Sequence, residues 1–302
     1  MPKNMMWLLL TGLMALSLVM AACGPAAAPT APTTPVAPTT ATAPTTPAAP
    51  AAPTPEKPQQ EAAKPAAEAP KYGGTLNLVE NADVTAFESS YATAGRGQTI
   101  NLTNQSLWQG DWTKGPAGGY GTSETDWGLS YDLFAHKEPY LAESVKWTAD
   151  FVKDQGTIIY QIRQGVRWGL NPNSEASRLV GGRELTADDV VFELRRSVTD
   201  TRAYFYRSVP ELKVAEITKT GPWEVTVKLP VAALMQGVSR FGDSVNLHPP
   251  EVIKKYGDAT NWRNSVGTGP FILIDYVAGS TAVLVRNPNF WMKDPVGPGK
   301  GN

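Results

Sequence analysis

Residues 266–291 read VGTGPFILIDYVAGSTAVLVRNPNFW, and the kind of protein this is turns on how its glycines are taken. Gly267-Thr268-Gly269-Pro270 has the look of a phosphate-cradling loop. A dinucleotide loop needs Gly-x-Gly-x-x-Gly after a strand and opening a helix, because the helix N-terminus receives the pyrophosphate. Here Ile272 stands where the third glycine belongs, and Pro270 leads into FILIDYV, an apolar run of strand character. No helix start is available to hold a phosphate. A tight turn at Gly267 and Gly269, with Pro270 fixing the start of a strand, is the structural expectation. A second strand, TAVLVRN, follows across a short turn. GPGK at 297–300 fails as a Walker loop, since Gly301 stands where Ser or Thr is needed.

Upstream, the periodicities mix strands with helices. In TIIYQIRQGVRW, Ile158, Tyr160 and Ile162 alternate with Gln161 and Arg163, so one strand face is apolar. GLNPNSEASRLVGGRE reads as an irregular insertion. LTADDVVFELRRSVTD predicts a helix capped by Thr186, with Asp189 completing a capping box and Val191, Leu194 and Val198 as its apolar stripe. LKVAEITKTGPWEVTVKLP is a predicted hairpin turning at Gly221-Pro222, and PPEVIKKYG a short helix opened by proline and closed by Gly257. GGTLNLVE, from about Lys71, has the alternation of a first strand. The stretch from there to about residue 130 is rich in glycine and aromatics, as binding loops often are. These elements amount to a mixed α/β domain.

Catalytic chemistry finds no foothold. Asp188 and Asp189 are adjacent on a helix, so they point to different faces and suit capping better than flanking a bond. There is no Gly-x-Ser-x-Gly elbow. His136 and His248 have no nearby Cys or His, which leaves a closed metal site unsupported, and no cofactor is implied. A formal charge of −1 gives no footprint for nucleic acid. Nine tryptophans and ten tyrosines fill cores or line pockets for organic ligands.

The N-terminus is a segment apart. Lys3 precedes an apolar run, Trp7 to Met20, which is too short for a comfortable membrane span but right for a signal peptide. The run closes at Ala21-Ala22, directly before Cys23, the single cysteine of the chain. That arrangement resembles a bacterial lipoprotein signal, cleaved before the cysteine (residues 1–22) and lipidated on its thiol. Residues 24–70 are almost wholly Ala, Pro and Thr. Such a stretch cannot bury apolar surface, so residues 23–70 are expected to be a disordered, polyproline-biased tether reaching about 140 Å when extended.

In order along residues 72–291 stand YGGTLNLVENADVTAF, YLAESVKWTAD, YQIRQGVRWG, LTADDVVFELRRSV, SVGTGPFILIDYVAG and VLVRNPNFW. Together they resemble the family 5 extracellular solute-binding proteins of ABC transporters, among them the oligopeptide, dipeptide and nickel binding proteins. The resemblance implies a type II periplasmic-binding-protein fold: two α/β lobes joined by a hinge and closing on ligand, with Gly267 and Gly269 on the hinge side. It implies capture of a solute, commonly a peptide, outside the cytoplasmic membrane and delivery to permease subunits, by a monomer that is not an enzyme. An oligosaccharide or a metal complex is the alternative solute. By position in the family pattern the loop Thr93–Gly97 reaches the cleft. Thr93, Gly95 and Arg96 then contact ligand, Arg96 by pairing with a carboxylate. Trp108, Phe241 and Trp262 are candidate pocket walls, with plain core packing the alternative for each. Two departures from the family pattern stand out. The segment between GVRW and LTADDV is longer than usual, and the second lobe normally begins just after RNPNFW, whereas this sequence ends eleven residues after Trp291. Residues 71–302 are therefore expected to be the N-terminal lobe and its subdomain alone, with weak ligand closure. A surface-anchored interaction protein without transport activity is the other reading.

Overall fold

The structure is a computed structural model, and it describes residues 73–80, 82–84, 86–91, 97–111 and 137–293. Its centre is a four-stranded antiparallel sheet with strand order β3-β4-β6-β5, made of β3 (Ala142–Asp150), β4 (Gln155–Ile162), β5 (Glu216–Gly221) and β6 (Glu224–Leu229). Along β4 burial alternates residue by residue, and Ile158, Tyr160 and Ile162 are all fully buried. In register across the strand pair, Val227 faces Ile158 and Val225 faces Tyr160, so the apolar sides of two strands form one continuous inner face. The expected hairpin is β5–β6, turning after Gly221.

Helices cover that face. Helix α3 (Ala187–Thr199) starts with the predicted capping box, in which Thr186 N donates to Asp189 Oδ2 at 2.8 Å. Its core stripe is Val190, Leu194 and Val198; Val191 is only partly buried, so the stripe leads from the neighbouring residue. Helix α5 (Leu234–Asp243) lies against the sheet, with Gly237 set beside Leu229 and Ile158. The short helices α1 (Gly97–Thr103), α4 (Tyr204–Ser208) and α6 (Pro250–Tyr256) and the small pair β1 (Trp108–Gly110) and β2 (Lys137–Pro139) complete this layer.

Two expectations fail. The supposed insertion contains a helix, α2 (Glu175–Val180), started by the Ser174 side chain accepting from Ser177 N and stopped by Gly181 in the left-handed region (φ 67°). Both cap residues were present in the sequence, but six residues carry too little periodicity to outweigh the surrounding Asn, Pro and Gly. Residues 73–80 form no strand. A strand needs a partner backbone, and no strand among the described residues pairs with this segment, in which Leu76, Leu78 and Val79 are exposed.

The quoted stretch forms the antiparallel ribbon β7 (Phe271–Val277) and β8 (Thr281–Arg286), with an irregularity between Leu273 and Asp275. The chain bends at residues 268–270, but neither Gly267 nor Gly269 has a positive φ, so left-handed backbone is not what these glycines supply. They permit contact. A Cβ on Gly267 would lie 1.9 Å from the Thr103 carbonyl oxygen, and one on Gly269 would lie 2.6 Å from the Leu102 oxygen. The backbone of residues 267–269 thus presses on the last turn of α1, and Gly269 N donates to Thr103 O at 2.8 Å. Gly267 O accepts from Gly169 N, also at 2.8 Å, bringing in the segment after β4.

Replacing Gly267 by alanine is expected to destabilise the domain by about 3 kcal/mol or more, because rigid backbone must give way. Gly279→Ala, in the open turn of the ribbon but at φ 69°, is expected to cost only about 1 kcal/mol. Urea denaturation of the two variants checks the difference. Equal losses would mean that the close approach at Gly267 is not what that glycine serves.

Candidate functional site

Thr93, Gly95 and Arg96 lie outside the described residues, as do His136 and Cys23, but both flanks of residues 92–96 are described and both are held by polar contacts. Upstream, Ser90 O accepts from Tyr204 N at 2.8 Å, and Tyr91 O accepts from the Arg207 guanidinium at 2.9 Å. The Tyr91 hydroxyl donates to Asp200 Oδ2 at 2.8 Å, and the Arg202 guanidinium covers its ring at 4.5 Å. Downstream, α1 runs into Thr103 and Asn104, both buried. Asn104 donates its amide to Leu247 O at 2.8 Å, and Asn246 donates back to Asn104 O at 3.2 Å. These side chains satisfy buried backbone carbonyls that have no strand or helix partner.

Beneath the upstream flank is a buried charge cluster. Glu88 and Glu193 are wholly buried, and Arg196 nearly so. Arg196 Nη2 donates to Glu88 Oε1 at 2.8 Å and to Glu193 Oε1 at 2.6 Å, and Ser90 Oγ donates to Glu193 Oε1 at 2.8 Å. Glu88 Oε2 accepts from Ala259 N at 3.1 Å, which ties in the loop after α6. His248 Nδ1 stands 3.5 Å from Glu193 Oε1 and 3.8 Å from Glu88 Oε1, at or beyond hydrogen-bond range, so its contact is chiefly one of charge. Burial opposes a charge on His248, yet the two carboxylates outweigh it and raise the imidazole pKa. For Glu88, burial works against the anion, while His248 and Arg196 together bring its pKa down. Glu193 behaves likewise, with burial opposing and Arg196 and His248 prevailing. With the imidazole charged, two anions meet two cations and the cluster is neutral.

Glu88, Glu193 and His248 could in principle hold a cation, since their donor atoms lie within 4.8 Å of one another. The Arg196 guanidinium already fills that space and satisfies both carboxylates, so the donor set fits an internal ion-pair cluster rather than a metal centre. Sequence reading missed this cluster. The available signal was a second stripe on α3, with Asp189, Glu193, Arg196 and Asp200 at helical spacing beside the apolar one. Of its residues, Asp189 binds Arg183 through two bonds of 2.7 Å, and Arg183 in turn binds Glu251 at 2.6 and 2.8 Å.

The three expected wall aromatics do not sit alike. Phe241 is fully buried on α5, edge-on to Phe205 at 6.4 Å, within the core. Trp108 is 5% exposed and packs so closely on Gly242 that a Cβ there would lie 1.8 Å from the indole nitrogen. Trp262 is half-buried, with the Arg263 guanidinium 4.4 Å above its ring. The NPNFW run is architectural. Asn287 donates to Gly269 O at 2.8 Å, Asn289 to Trp168 O at 3.2 Å, and Trp291 Nε1 to Gln105 Oε1 at 3.2 Å. Arg163 stacks on Trp291 at 4.5 Å.

Comparison with known proteins adds the following. Residues 137–301 match the family described as bacterial extracellular solute-binding proteins, family 5 Middle. The chain is 28% identical over 180 residues to a probable ABC transporter-binding protein of Deinococcus radiodurans, covering 53% of this chain and 27% of that protein. It is 25% identical over 171 residues to heme-binding protein A of Haemophilus influenzae, covering 51% and 29%. In fold it is similar to the dipeptide binding protein of Pseudoalteromonas sp. SM9913 in complex with Met-Leu, with a TM-score of 0.50 at 19% identity, covering 70% of this chain and 39% of that one. The chain thus spans between about a quarter and two-fifths of the lengths of these proteins. Among the described residues no helix is long and apolar enough to cross a membrane.

The signs of the cluster's pKa shifts fix a pH window. His248, raised in the fold, stabilises fully below its ordinary value near 6.5, and that stability is lost as pH rises through the folded pKa. Glu88 and Glu193, lowered, stabilise above their ordinary 4.5 and lose that as pH falls. His248→Gln is therefore expected to destabilise most between about pH 5 and 6.5, and progressively less toward pH 9. Thermal melts of both proteins across that range check it. A melting-point difference that does not change with pH would contradict the charged imidazole.

Proposed function

Because this chain belongs to the bacterial extracellular solute-binding proteins of family 5, we propose that it is the solute-capturing part of an ABC importer. Peptides are its solute and ABC permease subunits its partner. The family match over residues 137–301 supports the solute-capturing role. The proposed anchor is a diacylglyceryl chain on Cys23, with residues 24–70 as the spacer that lets the folded part work away from the membrane. The charge cluster is its internal brace and takes no part in chemistry.

The ligand is held, in this proposal, by the loop around Thr93, Gly95 and Arg96. Support comes from its flanks. Ser90 and Tyr91 are tied to the α3–α4 region on one side, and Thr103 and Asn104 to residues 246–248 and 266–269 on the other. A loop braced at both ends costs less entropy when it closes on a ligand. Main-chain groups of Thr93 and Gly95 meet the peptide backbone, and the Arg96 guanidinium meets the C-terminal carboxylate. Trp262 supplies a side wall, while Trp108 and Phe241 stiffen the scaffold behind it.

Isothermal titration with a tripeptide and its C-terminal amide tests both parts. The free acid is expected to bind the protein at least about tenfold more tightly than the amide, and Arg96→Ala to remove that preference. Equal binding of acid and amide would rule out the carboxylate role. Binding of an oligosaccharide or haem, with no peptide bound at all, would move the chain to another solute class within the same family.

A further inference from the structure

His248 is wholly buried, and neither of its ring nitrogens has a hydrogen-bond partner among the described residues. A neutral imidazole in such a place strands both its N–H and its bare nitrogen, which buried polar groups rarely tolerate. A charged imidazole can be held by charge alone, and the surroundings suit that. Glu193 Oε1 and Glu88 Oε1 stand 3.5 and 3.8 Å from Nδ1. The charged groups facing the ring are Glu193 and Arg196 from α3 and Glu88 from the segment before Ser90. The ring's own segment, residues 246–250, brings no other charge. The loop after α6 offers the Ala259 amide, while Asp258 and Asp200 are both paired with Arg202 at 3.0 Å.

Taking the proton from this ring leaves two carboxylates sharing one guanidinium in a space closed to water. Both Oε1 atoms are bonded to Arg196 Nη2, so they lie close together and repel. Local structure decides which of them gives way. Glu193 sits within the thirteen-residue helix α3 and is also held by Ser90 Oγ. Glu88 stands on residues 86–91, which belong to no helix or strand. Glu88 is therefore the side chain free to move, and its ties go with it. Besides Arg196, it accepts from Ser90 N and from Ala259 N, each at 3.1 Å. Ser90 O in turn holds Tyr204 N at 2.8 Å.

We propose that His248 is a pH-operated latch, whose charged ring fastens residues 88–91 to α3 and to the loop at Ala259, and whose neutral ring releases them. The direction follows from linkage. The imidazole is raised above its ordinary 6.5, so the latch is closed in acid and opens as pH rises through the folded value. The family is extracellular, where acidity follows the surroundings, so the latch reads the medium. It goes beyond the proposed import role and does not depend on which solute is carried.

Amide spectra of the full-length, nitrogen-15-labelled protein from pH 5 to 9 test it. The chain has two histidines, so the ring signal missing in His248→Gln identifies the one that matters. The amides of Ser90, Tyr204 and Ala259 are expected to shift together, with the same midpoint as the His248 ring. Above that midpoint Tyr204 N–H is expected to exchange at least about tenfold faster relative to its intrinsic rate. The Gly269 amide, at the join with α1, is expected to stay in place. Glu193→Gln removes one carboxylate charge and is expected to lower the midpoint by about half a pH unit or more. The wild-type titration needs no variant to fold. A ring that titrates while the three amides stay still would overturn the latch. So would a ring that keeps one charge state from pH 5 to 9, or a concerted shift of the three amides that persists in His248→Gln.

Discussion

The structure depends on a close backbone contact. The peptide chain at Gly267–Gly269 lies against the carbonyls at the end of α1 so tightly that no side chain can stand between them. Around that contact the backbone groups find partners, although the buried Thr268 hydroxyl has none among the described residues. Gly269 N meets Thr103 O, Gly267 O meets Gly169 N, and Asn287 meets Gly269 O. Asn104 reaches both Leu247 O and Val266 O. Four chain segments far apart in sequence are joined at one place, largely through backbone groups and amide side chains that have no helix or sheet to satisfy them. Buried groups of this kind are costly unless paired, which makes the join specific to one arrangement.

The rest follows from that join. It fixes the direction in which the β7–β8 ribbon leaves the body, and it holds the downstream flank of the proposed binding loop. The charge cluster does the same for the upstream flank, by a different device. There Glu88, Glu193, Arg196 and His248 bring together the segment before the loop, helix α3 and the segment before α6. One flank is held by hydrogen bonds between neutral groups and the other by buried charge. Only the second responds to pH in the range where histidine titrates. The expected consequence is a scaffold whose tightness on one side of the loop depends on the protonation of a single buried imidazole.

Much of the fold could be read in the sequence because its signals were local. The alternation of β4, the capping box of Thr186 and Asp189, the Gly221-Pro222 hairpin and the ribbon from Phe271 to Arg286 each depend on neighbours within a few residues. What was missed was decided elsewhere in space. Residues 73–80 alternate like a strand, but alternation cannot supply a partner. Helix α2 had its two caps and too few residues between them to show a period. Gly267 and Gly269 announced a special backbone need, yet whether that need was a turn, a phosphate or a close neighbour depended on Thr103, more than 160 positions away. The same holds for the charge cluster, whose members span Glu88 to His248. Family resemblance reached the fold by another route, through the order of several weak stretches, and it gave no warning that Asn287, Asn289 and Trp291 are joinery.

Residues 266–291 are an architectural splice and not a phosphate loop. Native-state hydrogen exchange at the Gly269 amide, measured with and without added ATP, tests it most directly. If Gly269 N–H is locked to Thr103 O at the join, that amide should exchange only through global unfolding, at a rate indifferent to the nucleotide. Fast exchange at Gly269, or protection that appears only when ATP is added, would contradict it.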